Sequence, residues 1–180
     1  MIIVMGLPGA GKSTVLKSAE KTGYASLNYG NLMFDIAKKK FGLGHRDELR
    51  KLESAQQKMV QEAVGKELSG MGGKIILDTH CSISTPKGYL PGLPYALLCG
   101  LKVDYLVLIT APIDEILSRR STDKTRVRDA ESAESLSEHD SMNRSYLAAY
   151  SCLTGAPAMI ISNRNGGLEE AQKKLLSLLQ

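Results

Sequence analysis

Met1-Ile2-Ile3-Val4-Met5-Gly6-Leu7-Pro8-Gly9-Ala10-Gly11-Lys12-Ser13-Thr14 is the stretch on which the reading of the chain turns. Met1 to Met5 are apolar, β-branched in the middle and stopped by a glycine, which predicts a short buried strand. The next residues fit G-x-x-x-x-G-K-[ST] at Gly6, Gly11, Lys12 and Ser13, the pattern of a phosphate-binding loop. Each residue type meets a physical need. Glycine lets the backbone turn and approach a phosphate chain with no Cβ between them. The N–H groups of the loop converge on phosphate oxygens, and the helix after it adds the positive end of its dipole. Lys12 brings a mobile charge for the β- and γ-phosphates, and Ser13 a hydroxyl ligand for Mg²⁺. The chain is expected to bind a nucleoside triphosphate.

A glycine-rich turn that binds nothing is the competing reading. The context argues against it, because a strand precedes the loop and an amphipathic stretch (Val15, Leu16, Ala19) comes after it. Gly-x-Pro-Gly-x-Gly-Lys-Ser is also a form met in small-molecule and nucleotide kinases more than in large motor ATPases.

Composition narrows the class. The 180 residues suffice for one domain with a sizeable core, and 43% apolar with 23% charged residues is ordinary for a globular protein. Lys and Arg exceed Asp and Glu by 23 to 19, a surplus too small and dispersed to mark nucleic-acid binding. It suits a cleft holding several phosphates, and equally a mildly basic surface. No apolar run reaches transmembrane length, and the apolar N-terminus lacks the basic region of a signal peptide. Cys81, Cys99 and Cys152 form neither a zinc pattern nor a disulfide framework, which predicts buried or half-buried thiols in a reducing cytosol.

Strand and helix patterns then alternate. Residues 12–21 predict a helix, 24–28 a strand, 31–40 a helix with Leu32, Met33, Ile36 and Ala37 inward, and 47–69 a polar helical tract in one piece or two. Lys74-Ile75-Ile76-Leu77-Asp78 predicts a buried strand whose terminal carboxylate can hold Mg²⁺ beside the loop. Residues 79–94, rich in Gly and Pro, read as a long loop, and loops of that length tend to be functional. Strands are expected at 103–110 and 158–162. Helices are expected from Pro112, over 132–153 with Leu136, Met142, Tyr146, Leu147, Tyr150 and Leu153 inward, and after Gly166-Gly167 with Leu168, Ala171, Leu175 and Leu178 on one side. The fold class is α/β: a phosphate-loop three-layer sandwich, with a central parallel five-stranded sheet, helices on both faces and ligands at the strands' C-terminal edge.

Three functions compete on this frame. A GTPase would need Asn-Lys-x-Asp after a late strand, and Asn163-Arg164-Asn165-Gly166 is not that. An ATP-dependent assembly factor working on RNA or ribosomes would need the loop but few features of an acceptor site. A kinase would need two phosphate sites, a flap and arginines for the transferring group. Arg119-Arg120-Ser121-Thr122-Asp123-Lys124-Thr125-Arg126-Val127-Arg128-Asp129 has five basic residues in eleven, on the rim where a lid belongs. A solvated, self-balancing helix end is the alternative. MgATP with a nucleoside monophosphate brings about four negative charges to one cleft, which favours the kinase.

Thr85-Pro86-Lys87-Gly88-Tyr89-Leu90-Pro91-Gly92-Leu93-Pro94, Thr125-Arg126-Val127-Arg128-Asp129, Met142-Asn143-Arg144, Asp78-Thr79-His80 and Asn163-Arg164-Asn165-Gly166 resemble the archaeal-type adenylate kinases. The likeness runs the whole chain, and the stretch from Thr85 to Pro94 is its most specific part. The resemblance implies reversible, Mg²⁺-dependent phosphoryl transfer from ATP to AMP giving two ADP, and a homotrimer. It makes residues 1–180 one nucleoside monophosphate kinase domain, with an AMP-binding part at about 29–70 and a lid at about 119–131. Lys12 and the loop from Gly6 to Thr14 would hold the donor phosphates, with Ser13 and Asp78 placing Mg²⁺. Arg119, Arg120, Arg126 and Arg128 would form the clamp and lid. Asn163 and Arg164 lie where the ATP adenine would rest. Asn28, Gly30 and Met33, with Arg46 or Arg50 and the loop bearing His80, Lys87 and Tyr89, would form the AMP pocket.

The chain departs from bacterial adenylate kinases at two places. Their Gly-Asp-Met-Leu-Arg is here Gly30-Asn31-Leu32-Met33-Phe34, and their Asp-Gly-Phe-Pro-Arg is Asp78-Thr79-His80-Cys81-Ser82. Both arginines are missing, so Arg46, Arg50, His80 or Lys87 must substitute. His80 can bond AMP or cap its loop, and Tyr89 can pack on a base or pin its own loop. His45 and His139 read as solvated, and Met5, Met33 and Met142 as core filler.

Overall fold

Every residue of the strand Ile2–Gly6 (β1) is buried, and its alternation builds one core on each side of it. The computed structural model describes residues 1–122 and 132–179. After β1 come α1 (Lys12–Leu16), β2 (Ala25–Asn28), α2 (Tyr29–Phe41), α3 (Ser54–Gly70), β3 (Ile75–Asp78), β4 (Ser82–Thr85), β5 (Gly88–Pro91) and α4 (Tyr95–Leu98). β6 (Tyr105–Thr110), α5 (Ile113–Thr122), α6 (Ala133–Thr154), β7 (Ala158–Ser162) and α7 (Leu168–Leu176) complete the order. A 3-10 turn, Lys17–Lys21, continues α1, and another, Arg46–Lys51, precedes α3.

The main sheet has five parallel strands in the order β2-β3-β1-β6-β7. On one face Ile3, Met5, Leu77, Leu106 and Leu108 pack with Ala37, Val60, Val64, Leu68 and Leu147. On the other, Ile2, Val4, Ile76, Val107 and Ile109 pack with Val15, Ala19, Ile116, Ala171 and Leu175. Two apolar faces explain why the central strands read as unbroken hydrophobic runs. Each fully buried Val, Leu, Ile or Met among them stabilises the fold by roughly 1.5–3 kcal/mol. Gly6 lies so close to β6 that a Cβ there would collide with the Ile109 carbonyl.

Register levels the functional edge. Asn28 stands opposite Asp78, Asp78 opposite Val4, Gly6 opposite Ile109, and Thr110 opposite Ser162. The last residues of all five strands therefore share one end of the sheet.

Several expectations are corrected. Residues 79–94 are not a plain loop: β4 and β5 pair antiparallel, with Ile83 opposite Leu90 and Thr85 opposite Gly88. Gly88, at φ 112°, supplies the conformation that closes the turn. The hairpin docks on α6, where Ser82 Oγ donates to Asn143 Oδ1 at 2.7 Å and Tyr146 Oη to the Tyr89 carbonyl at 2.8 Å. Gly92 has no room for a Cβ against the His80 carbonyl. His139 is buried rather than solvated, because the hairpin covers it and the Tyr89 ring lies 5.1 Å away, centroid to centroid. Leu153 is 51% exposed, because at 3.6 residues per turn it falls to the side of the buried face of α6. Its inward stripe is Leu136, His139, Asn143, Leu147 and Tyr150, with Met142 half-buried. Cys99 and Cys152 are exposed and only Cys81 is buried, where desolvation pushes its thiol up to about 12. The helix expected from residue 31 begins at Tyr29, because the Asn28 side chain accepts from the Asn31 N–H and caps it. The 47–69 tract is in two pieces.

Candidate active site

β1 runs into the loop Gly6-Leu7-Pro8-Gly9-Ala10-Gly11, and Lys12, Ser13 and Thr14 open α1. Gly9 at φ 94° and Gly11 at φ 80° take left-handed turns that a side chain would strain. Space is closed there too: a Cβ on Gly9 would stand 3.0 Å from Arg120 Cγ, and one on Gly11 would strike the Asn163 amide. The loop is held by partners far away in sequence. Asn163 Nδ2 donates to the Ala10 carbonyl at 2.9 Å, and Arg120 Nε to the Pro8 carbonyl at 2.7 Å.

Lys12 Nζ donates to Asp78 Oδ1 and, at 2.7 Å, to the Thr79 carbonyl. Both charged side chains are mostly covered, at 14% and 20% exposure. Asp78 Oδ2 accepts from Asn28 Nδ2 at 2.9 Å. Asp78 and Ser13 are hard oxygen donors at one edge, and among the described residues no group of three or more His, Cys, Asp or Glu gathers. That set fits Mg²⁺, which keeps several waters and takes one or two protein oxygens beside substrate phosphates.

Arg119 stands across the loop. Its Nη2 donates to Glu115 Oε2 at 2.8 Å, the Asn163 carbonyl at 3.0 Å and Asn165 Oδ1 at 2.7 Å. Among the described residues its Nη1 is buried without a hydrogen-bond partner, 3.8 Å from where a Cβ on Gly11 would lie. A buried guanidinium donor left over beside a phosphate loop fits an anionic oxygen there. Glu115 also accepts from the Asn165 N–H at 2.6 Å.

On the other flank, Arg46 Nη1 donates to Asn31 Oδ1 at 3.0 Å, and its Nη2 approaches Asn28 Oδ1 at 3.5 Å. The guanidinium lies over Gly30, where a Cβ would collide with it. Arg46, Asn28 and Gly30 thus come together, and Asn28 joins them to Asp78 and Lys12. His80 sits in the same cleft. Its own surface is exposed, but protein atoms crowd around it. That desolvation, followed by the positive charge of Lys12, lowers its pKa below the ordinary imidazole range, to about 4. A base with its folded pKa depressed binds fewer protons than in the unfolded chain between the two values. Its contribution to stability is full above about pH 6.5 and declines as pH falls toward 4. An NMR titration is expected to leave the His80 ring resonances flat down to about pH 5. An inflection near 6.5 would contradict the crowding.

Other expected residues fall elsewhere. Lys87 is exposed at the hairpin turn, and Tyr89 faces His139 and α6. Met33 is half-buried against the core. Asn163 commits its amide to the loop, while Arg164, Asn165, Gly166 and Glu170 help line an open groove of about 600 Å³. Arg50 lies on the turn Arg46–Lys51, its side chain outside the described part, and Arg126 and Arg128 fall outside the described residues. The sequence reading missed Glu115 and Asn165 as braces of Arg119, although the i,i+4 spacing of Glu115 and Arg119 was visible. It also missed Asp140, which accepts from Thr110 Oγ1 at 3.0 Å and from Arg144 Nε at 2.8 Å.

A family model described as an AAA domain matches residues 5–137. A shikimate kinase from Bacteroides thetaiotaomicron superposes with a TM-score of 0.62 at 15% identity, covering 99% of this chain and 97% of that one. At that identity the likeness concerns the fold, and the fold is that of the phosphate-loop kinases. An adenylate kinase from Methanocaldococcus jannaschii is 44% identical over 100% of this chain and 98% of that protein. One from Methanothermobacter thermautotrophicus is 42% identical over 100% and 99%. The chain belongs to the AAA-domain family by the first match and, more narrowly, to the adenylate kinase family. No helix among the described residues is long and apolar enough to cross a membrane.

Proposed function

We propose that this chain transfers the γ-phosphoryl group of ATP to AMP, reversibly, giving two ADP. The observation that carries the reading is the meeting of two cationic sites at one sheet edge. Lys12 and Arg119 serve the phosphate loop, and Arg46 lies across the start of α2, with Asp78 and Asn28 between. Two phosphate-bearing ligands facing each other need that arrangement. The adenylate kinase relatives supply the identity of the acceptor.

In this mechanism the loop N–H groups and Lys12 hold the donor phosphates, and Arg46 draws the acceptor phosphate in line. Arg119, Arg120, Arg126 and Arg128 neutralise the equatorial oxygens as charge redistributes. An AMP phosphate oxygen forms the new bond to the γ-phosphorus while the bond to the β,γ-bridging oxygen breaks, and that oxygen leaves with ADP. The attacking oxygen is already anionic, so no general base is required. Ser13 and Asp78 would hold Mg²⁺, which when bound with ATP offsets phosphate charge. His80, held neutral by crowding and by the positive charge of Lys12, can bond a phosphate oxygen only as a donor through one ring N–H. Residues 29–70 serve as the acceptor part and 119–131 as the lid, within one domain spanning 1–180. A cytosolic homotrimer follows from the family resemblance.

Product analysis with ATP and a panel of monophosphates tests the reading. ADP is expected to form from AMP well above the diphosphates formed from GMP, CMP or UMP, because a site built to hydrogen-bond one base edge leaves buried groups unpaired with another. Comparable rates with CMP or UMP would leave a broad monophosphate kinase. Steady ATP hydrolysis with no transfer would turn the reading to an assembly factor, which a titration with structured RNA then checks.

A further inference from the structure

One amide spans the boundary between the two nucleotide sites. Asn28 is the last residue of β2 and the cap of α2. Its Oδ1 accepts from the Asn31 N–H at 3.1 Å, while its Nδ2 donates to Asp78 Oδ2 at 2.9 Å. The other Asp78 oxygen accepts from Lys12. Each end of the Asn28 amide is therefore committed inside the protein, one to the acceptor-side helix and one to the donor-side carboxylate. The register of β2 and β3 puts the two residues side by side, so the contact is built by the sheet. Arg46, lying on Asn31 and over Gly30, loads the same first turn of α2.

We propose that Asn28 is a positioning residue, not a ligand of the acceptor. It fixes the rotamer of Asp78 toward the phosphate loop and ties that carboxylate to the position of α2. An unrestrained aspartate at the end of a strand rotates freely about its side-chain bonds. Held on one oxygen by Asn28, it presents the other to Lys12, the residue before Ser13. Movement of the acceptor-side helix then carries the donor-side carboxylate with it. This rests on the ATP:AMP reading above, since only there do both sides hold phosphates.

Asn28→Ser separates the two bonds, because serine caps a helix about as well as asparagine but is too short to reach Asp78 in the same way. In this variant the melting temperature is expected to stay within a few degrees of the unmodified protein. Affinity for Mn²⁺, measured by electron paramagnetic resonance with a bound non-transferable ATP analogue, is expected to weaken about three- to tenfold. kcat is expected to fall about tenfold with the KM for AMP unchanged. Asn28→Asp, which keeps the cap but sets a second carboxylate against Asp78, is expected to lower kcat further. Unchanged Mn²⁺ affinity and kcat in Asn28→Ser would overturn the proposal. A raised KM for AMP at normal Mn²⁺ affinity would also overturn it, and would make Asn28 an acceptor ligand. A large loss of melting temperature with Mn²⁺ affinity and kcat intact would make the bond to Asp78 a brace of the fold alone, and would overturn it. If the unmodified protein makes no ADP from AMP, the ATP:AMP reading fails first and the positioning role falls with it.

Discussion

Lys12→Ala is expected to lower kcat by about two orders of magnitude or more, close to 3 kcal/mol of transition-state stabilisation. The loss in ATP affinity should be smaller. The reason lies in where the charge sits. Lys12 opens α1 directly after the phosphate loop, and its ammonium already spans Asp78 and the Thr79 carbonyl at the edge of the neighbouring strand. A donor held there meets the oxygens whose charge grows during transfer, while the loop N–H groups bind the ground state alike with or without it. Removing it also leaves a partly buried carboxylate short of one partner, which costs about 1–3 kcal/mol. Asn28 remains bonded to Asp78, so the lower end of that range is expected. Steady-state kinetics and ATP titration separate the two effects. Normal turnover with abolished ATP binding would show that the lysine serves the ground state alone.

Arg119 is expected to be the next most costly position. Arg119→Ala should depress kcat about a hundredfold and, unlike an exposed arginine, lower the melting temperature as well. The structural share comes from Nη2, which joins Glu115, the Asn163 carbonyl and Asn165. Glu115 is 17% exposed and would lose its cationic partner. A loss of about 1–3 kcal/mol corresponds to several degrees in a chain of this size. The catalytic share comes from Nη1, buried beside Gly11 and without a partner among the described residues. Arg119→Lys is the informative control. It keeps the charge, but one ammonium cannot hold three acceptors and also aim a second nitrogen at the loop. It is expected to recover little turnover. Full activity in either variant with a lowered melting temperature would confine Arg119 to bracing the segment after β7.

The sequence carried the parts of this protein that depend on neighbours along the chain. A five-residue apolar run leading into G-x-x-x-x-G-K-S implies a strand, a phosphate-cradling turn and a helix, because backbone geometry allows little else. The alternation of buried runs with helical periodicity implied a parallel sheet covered on both faces. Asp78 was legible because a carboxylate ending such a strand has few other uses beside that loop. Residues 79–94 were harder. Glycine and proline punctuation there reads as irregular chain, and the hairpin depends on the α6 surface it rests on, from Asn143 to Tyr150. The same docking buries His139 and Asn143, residues whose polarity, taken alone, argues for water although they share a face with Leu136, Leu147 and Tyr150.

By itself, then, the sequence determined the phosphate loop, the strand–helix alternation and the charges available to a kinase. Only the tertiary structure decided how those charges are held. Asn28 and Asp78 are 50 residues apart, Lys12 and Asp78 66, and Asn163 and Ala10 153. No local pattern specifies such pairs. The order β2-β3-β1-β6-β7 does, by bringing five strand ends to one edge in register. Periodicity reports which face of an element is apolar, whereas a hydrogen bond between strand ends depends on which strands are neighbours, and that is fixed by packing of the whole sheet.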